Sequence, residues 1–183
     1  MASLANYPRR VYETKKQNRF MLIFPSEVGG VALQASVKSS NRPKWDVNDV
    51  ELHYMNTRWY LAGKATWSEW SCSFYDYIGT STPPVTENTL VELFKWYNKV
   101  YDPVTTLMQY PDQYKKDVII QMLGPGLEGD IVETYKLFGA WPKGIDGGGL
   151  DMKSEGEVTE LNVTFRFDYA ILTGPDGTPI EFA

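Results

Sequence analysis

Val158-Thr159-Glu160-Leu161-Asn162-Val163-Thr164-Phe165-Arg166-Phe167-Asp168-Tyr169 is the stretch that sets the fold class. Thr159, Leu161, Val163, Phe165, Phe167 and Tyr169 fall on one side, and Glu160, Asn162, Thr164, Arg166 and Asp168 on the other. A strand satisfies this period of two and a helix does not. One dry face and one face turned to water or to a partner is the pattern of an antiparallel sheet. Upstream, Glu69 to Tyr75 repeats it, with Trp70, Cys72 and Phe74 against Ser71, Ser73 and Tyr75.

The same reading extends to both ends of the chain. Asp117 to Leu123 and Ile131 to Phe138 are β-rich and separated by the turn-forming Gly124-Pro125-Gly126-Leu127-Glu128-Gly129-Asp130, which predicts a hairpin. Val50 to Met55 and Arg58 to Ala62 predict two strands joined at Asn56-Thr57, after a polar connection from Ser39 to Asp49 that contains Pro43 and Trp45. The apolar run Arg19 to Pro25 and the alternation of Val31, Leu33, Ala35 and Val37 within Gly30 to Lys38 predict another hairpin, around Gly29 and Gly30. One helix is predicted from about Val85 to Tyr101, with an apolar stripe of Leu90, Leu93, Phe94, Tyr97 and Tyr101, Pro83-Pro84 before it and Asp102-Pro103 after it. Burying four such side chains contributes about 6–12 kcal/mol before entropy, enough to dock the helix on a sheet but not to hold it alone in water.

About eight strands and one helix predict a mainly β chain, an antiparallel β-sandwich or barrel with one flanking α-helix. A basic arm (1–18, with Arg9, Arg10, Lys15 and Lys16) precedes the β domain (19–169), and a C-terminal extension (170–183) follows. That extension holds a turn at Gly174-Pro175-Asp176-Gly177 and the apolar Ile180 to Phe182, which can add a strand to a neighbour.

Composition bounds the function. The 183 residues suit a single domain, and 43% hydrophobic with 22% charged residues marks a folding chain. A net charge of −5 argues against wrapping nucleic acid by neutralising phosphates. With no apolar run of membrane-spanning length and no apolar core near the N-terminus, neither membrane insertion nor secretion is expected, and the chain is read as made in the cytosol. The single cysteine, Cys72, excludes an internal disulfide and is read as a reduced thiol in a strand.

Chemistry-bearing residues are sparse, and no catalytic, metal or cofactor site is expected. His53 is the only histidine and has no second histidine at ligand spacing. Gly147-Gly148-Gly149 is followed by no helix and lacks the context of a phosphate loop. The pairs Asp146/Asp151 and Glu155/Glu157 lack the order of a calcium loop and are read as solvated carboxylates. Asn162-Val163-Thr164 matches a glycosylation acceptor, without meaning in a chain that lacks a secretion signal. Arg19, Lys44, Trp45, Arg58 and Trp59 interleave basic and aromatic groups, but Asp46, Asp49 and Glu51 dilute the patch. A carbohydrate-binding sandwich using Trp45, Trp59 or Trp67 as sugar platforms is the competing class.

Two segments resemble the tail tube proteins of contractile-tailed bacteriophages, within the Hcp-like tube superfamily. The first runs from Met55-Asn56-Thr57-Arg58-Trp59-Tyr60-Leu61-Ala62-Gly63 through Trp67-Ser68-Glu69-Trp70 to Phe74-Tyr75-Asp76. The second is Phe138-Gly139-Ala140-Trp141-Pro142, Leu150-Asp151-Met152 and Glu157 to Tyr169. The resemblance implies a non-enzymatic structural subunit that forms six-membered rings, stacked head to tail around a lumen. The tube so built lies inside a sheath, joins a baseplate, encloses a tape measure protein and passes viral DNA without specific binding. Residues 39–57 then become an excursion to the adjacent ring, with Trp45, Asp46, Met55, Asn56 and Arg58 as contacts. The loop 139–156, with Trp141, Pro142 and Asp151, becomes a second contact. Six copies at −5 each total about −30, so the bore is expected to be acidic or neutral. The location implied is the phage tail, assembled in the host cytoplasm. A baseplate tube initiator and the tube of a contractile injection system are the alternatives within the same class.

Overall fold

The computed structural model describes residues 14–79, 88–125, 130–175 and 177–180. Pro83-Pro84, the first part of the expected helix, the middle of the Gly124–Asp130 turn, most of the N-terminal arm and the last three residues lie outside these.

Nine strands and three α-helices are present among the described residues. In chain order they are β1 (Phe20–Ile23), α1 (Gly30–Ser36), β2 (Val37–Ser40), β3 (Trp45–Tyr54), β4 (Thr57–Trp67), β5 (Trp70–Tyr75), α2 (Thr89–Val100), α3 (Pro111–Tyr114), β6 (Lys116–Leu123), β7 (Ile131–Asp146), β8 (Glu160–Arg166) and β9 (Tyr169–Thr173). The mainly β, antiparallel prediction holds. The strands order as β1-β6-β7-β8-β5-β2, with β9 also on β7, and β3-β4 form a separate two-stranded sheet.

The long strand β7 joins two halves of the main sheet. Its first half pairs with β6 on one edge and with β9 on the other, while Trp141 to Asp146 pair with β8. The change of partner falls at Gly139, whose φ is +63°. There the carboxylate of Asp168, held by Lys115 at 2.7 Å, fills the place of a side chain, and the Asp168 amide donates to the Phe138 carbonyl at 2.9 Å. The two halves then face each other. Phe24, just after β1, meets Trp70 of β5 and Phe165 of β8 at ring separations of 6.4 and 6.3 Å. Leu22, Val118, Ile120, Leu137, Leu161 and Val163 complete this single core.

Helix α2 closes the core. Thr89, Leu93 and Trp96 are its buried side chains, and the Trp96 ring lies 5.5 Å from Phe165 while its N–H donates to the Tyr114 carbonyl at 2.8 Å. The expected stripe is thus rotated: Leu93 is in it and Leu90 partly, but Phe94 and Tyr101 are exposed. Trp96 wins the inward position because it is large and has a polar partner waiting for its N–H. At the helix start the Leu90 amide is bonded by the Asp76 carboxylate at 3.3 Å.

Other expectations need correction. Gly30 to Ser36 is helix α1, not a strand. Its period-two pattern rested on small alanines that a helix accepts, and Leu33 and Ala32 turn to the core while Val31 stays exposed. Gly29, at φ +85°, ends the preceding short turn and starts this helix. The connection from Ser39 to Asp49 is mostly strand, being the end of β2 and the start of β3. The 158–169 run is broken: Leu161, Val163, Phe165 and Phe167 are buried as expected. After the irregularity at Asp168 a new strand begins at Tyr169, which is exposed and stacks on Phe138 at 4.6 Å. β9 continues to Thr173, so the sheet runs on beyond residue 169.

The Gly139 corner gives a direct test. A Cβ at Gly139 would lie 2.4 Å from an oxygen of Asp168, whereas one at Gly144 meets nothing within 4 Å. Gly139→Ala is expected to lower unfolding free energy by about 1–3 kcal/mol, and Gly144→Ala to change it little. Urea unfolding of both variants checks the contrast.

Candidate assembly interface

The β3–β4 hairpin projects from the sandwich with every residue of β3 exposed. It extends the shorter β2–β5 hairpin, to which it is joined by the Ser68 amide on the Lys44 carbonyl at 2.8 Å and the Asn41 amide on the Ser71 carbonyl at 3.1 Å. At its base Trp67 lies 5.3 Å from Trp45 and 5.6 Å from Phe167 of the core. Its outer part is amphipathic by register. Val50 faces Leu61, Leu52 faces Trp59, and these share a side with Tyr54; Asp49, Glu51, Tyr60, His53 and Arg58 share the other.

An isolated two-stranded hairpin is marginal in water, and this one leaves its apolar side chains uncovered: Trp59 is 64% and Leu61 53% exposed. The tip is a tight turn at Met55-Asn56, one residue earlier than expected. Met55 sits at φ +50°, where glycine is the easy choice, and is 88% exposed. The hydroxyl of Thr57 donates to the Tyr54 carbonyl at 2.9 Å and closes the turn.

Two sheet borders add to this surface. Among the described residues β2 pairs only with β5, and Trp141 to Asp146 pair only with β8, so each keeps an open edge. These edges bound the half-sheet β2-β5-β8-β7. Its four strands alternate in direction, so β2 of one copy is antiparallel to β7 of a copy rotated beside it.

The residues singled out in the sequence fall in three places. Trp45 and Asp46 lie at the base of β3, and Met55, Asn56 and Arg58 at the hairpin tip, where Arg58 pairs with Glu51 at 3.1 Å. Trp141 and Pro142 are not in a loop but on the open part of β7, Pro142 pointing to the core and Trp141 packed on Tyr114 at 6.0 Å. The irregular connection is only 147–159. There Asp151 is exposed and accepts the Lys153 amide at 2.9 Å. Val50, Leu52 and Leu61 were not singled out as contacts, although their alternation against Glu51 and His53 was legible.

Elsewhere the polar groups are occupied structurally. Glu133, largely buried at the sheet end, is held by Lys15 and by Arg42 at 3.0 Å, and these two cations line an open groove of about 820 Å³ between β1 and β2. His53 is exposed, with Glu51 at 3.9 Å. Among the described residues no group of three or more His, Cys, Asp or Glu is placed to hold a metal ion.

The fold so described is that of tube subunits from contractile injection machines. It is similar to a chain of the anti-feeding prophage cap (AFP tube terminating cap), at 15% identity and a TM-score of 0.68, over 95% of this chain and 99% of that one. It is also similar to a chain of the sheath/tube terminator of the extracellular contractile injection system PVC, at 14% identity, TM-score 0.64, over 90% and 99%. A third, from the PVC sheath-tube complex in its extended state, gives 16% identity and TM-score 0.60 over 90% and 94%. No curated protein matches the sequence. The phage tail tube protein family matches residues 7–172, and the chain belongs to that family. The resemblance read from Met55–Asp76 and Phe138–Tyr169 is thereby borne out.

Cys72 supplies a check on the core beneath this surface. Its thiol is buried, donates to the Ser39 carbonyl at 3.1 Å, and is pushed up to about 12 by burial. It should not react with a maleimide at pH 8 until the protein is unfolded in urea. Because the unfolded thiol ionises first, its contribution to stability is complete below pH 9 and is lost as pH rises from 9 toward 12. Unfolding free energies of the protein and of Cys72→Ala across that window measure the loss, which the variant should lack.

Proposed function

We propose that the chain is the repeating structural subunit of a hollow tail tube. Copies close into rings, six to a ring, when the open edge of β2 is laid against the open Trp141–Asp146 edge of the next copy. A heterologous contact repeated by rotation closes into a ring. Because each copy brings four strands of alternating direction, the half-sheets continue as one antiparallel barrel with no edge left bare. Rings stack through the β3–β4 hairpin, whose Val50, Leu52, Trp59 and Leu61 face is covered by the adjacent ring, with Met55, Asn56 and Arg58 at the far contact. Trp45 and Asp46 at the hairpin base, and Asp151 in the 147–159 loop, complete the ring contacts.

The observation that carries this reading is the projecting hairpin with an apolar face that none of the described residues covers. A sheath around the tube, a baseplate below it and a tape measure protein within it are the partners such a tube takes in a virion, and the viral genome is its cargo. Catalysis has no part in this role. A second reading is a subunit at the end of a tube, in a phage or an injection system. It is favoured by the likeness to structures of a tube terminating cap and a sheath/tube terminator.

Negative-stain microscopy of the purified chain tests both. Rods of indefinite length support the repeating subunit, and single rings support the end subunit. The double variant Leu52→Asp with Trp59→Asp removes the apolar face while touching no core residue. It is expected to change subunit unfolding free energy by less than about 1 kcal/mol and to abolish rods. Rods formed by this variant as readily as by the parent would refute the hairpin's role.

A further inference from the structure

We propose that the outward face of the half-sheet β2-β5-β8-β7 lines the bore, and that Glu69 and Glu160 hold its basic side chains in ion pairs so that a polyanionic cargo passes without being retained. This rests on the tube reading above.

The two outward faces of the sandwich differ sharply. On β1, β6, β7 and β9 the outward positions include Met21, Ile23, Ile119, Phe138 and Ile171, interspersed with Gln121, Thr134 and the Lys136–Asp117 ion pair at 3.3 Å, a surface richer in apolar groups and suited to contact with protein. On the other half they include Ser71, Ser73, Asn162 and Thr164, with Tyr75 and Trp141 at the two ends of the face, and the Ser73 hydroxyl donates to the Asn162 side chain at 2.6 Å. The small hydroxyl and amide groups at the centre of this wall stay hydrated and offer a passing chain little apolar surface.

Charge on that face is balanced, not acidic. Its basic groups are Lys38, Lys143 and Arg166, and its acidic groups Glu69, Glu160 and Asp146. Lys38 is paired with Glu160, Lys143 with Glu69, and Arg166 lies 3.7 Å from the same Glu69. Glu69 therefore answers two of the three cations. Lys143 above all, then Arg166, hold the Glu69 carboxyl below the usual carboxylate range, so it stays ionised at neutral pH. The net charge of −5 thus has little to do with the bore, and local pairing does the neutralising. Each cation recurs in every copy of every ring, so one left unpaired becomes a ladder of phosphate sites whose weak contacts combine.

Three variants, in two experiments, test this on assembled tubes. Ser71→Cys places a thiol on the face in question, while the native Cys72 is buried and stays silent. Microscopy is done first, and absence of tubes in the parent overturns the reading on which the inference rests. In tubes, a small maleimide dye should label the Ser71→Cys thiol, while a maleimide carried on a folded protein too large for the bore should not. Equal labelling by both places the face outside and overturns the assignment while leaving the tube reading intact.

In the second arm, tubes of Glu69→Gln and of Glu160→Gln are incubated with a fluorescent single-stranded DNA oligonucleotide and pelleted. Glu69→Gln should retain roughly tenfold more oligonucleotide than the parent at low salt, Glu160→Gln less than that, and both excesses should vanish as salt rises. Retention no greater than the parent's in both variants overturns the role of the carboxylates.

Discussion

An unpaired sheet edge is the constraint on which the rest of this structure turns. Backbone N–H and C=O groups in a sheet border demand partners, and an open border invites another strand. Here β7 is long enough to serve two half-sheets, and that length is what leaves its last six residues, among the described residues, with a neighbour on one side only. Gly139 and Asp168 make the corner at which this happens. β6 begins at Lys116, opposite Ala140, so past this corner β7 has no β6 residue to pair with.

The hairpin follows from the same economy of contacts. It is the continuation of β2 and β5 past the edge of the core, where none of the described residues covers it. Trp67 fixes its root between Trp45 and Phe167, so the arm leaves the sandwich in a defined direction. Fixing the root lowers the entropy lost on docking, which favours association. The amphipathic register then decides which side of the arm is covered.

Much of this was legible in the sequence. The strands at Trp70–Tyr75, Lys116–Leu123 and Glu160–Arg166 announce themselves because one side of each is buried, which enforces alternation. The hairpin was recognisable from its two strand-like runs around Asn56-Thr57, and its candidacy as a contact came from the resemblance. What misled was short and small: alanines in Gly30–Ser36 fit either period, and only the need to place Leu33 in the core makes that segment a helix. The inward choice of Trp96 over Phe94 depends on the Tyr114 carbonyl, eighteen residues away, which no local pattern reveals. Trp141 and Pro142 were found by resemblance, but their position on an open strand edge is a property of β7's partners. The same holds for Glu69, whose two cationic neighbours come from β7 and β8.

Hydrogen exchange measured on the assembled and the dissociated protein probes the edges themselves. If sister copies complete the sheet, outward-facing amides of Val37–Ser40 and of the Trp141–Asp146 segment should exchange rapidly in the free subunit and be strongly protected in the assembly, with the core strands slow in both. Edge amides that exchange equally fast in the two states would contradict the account.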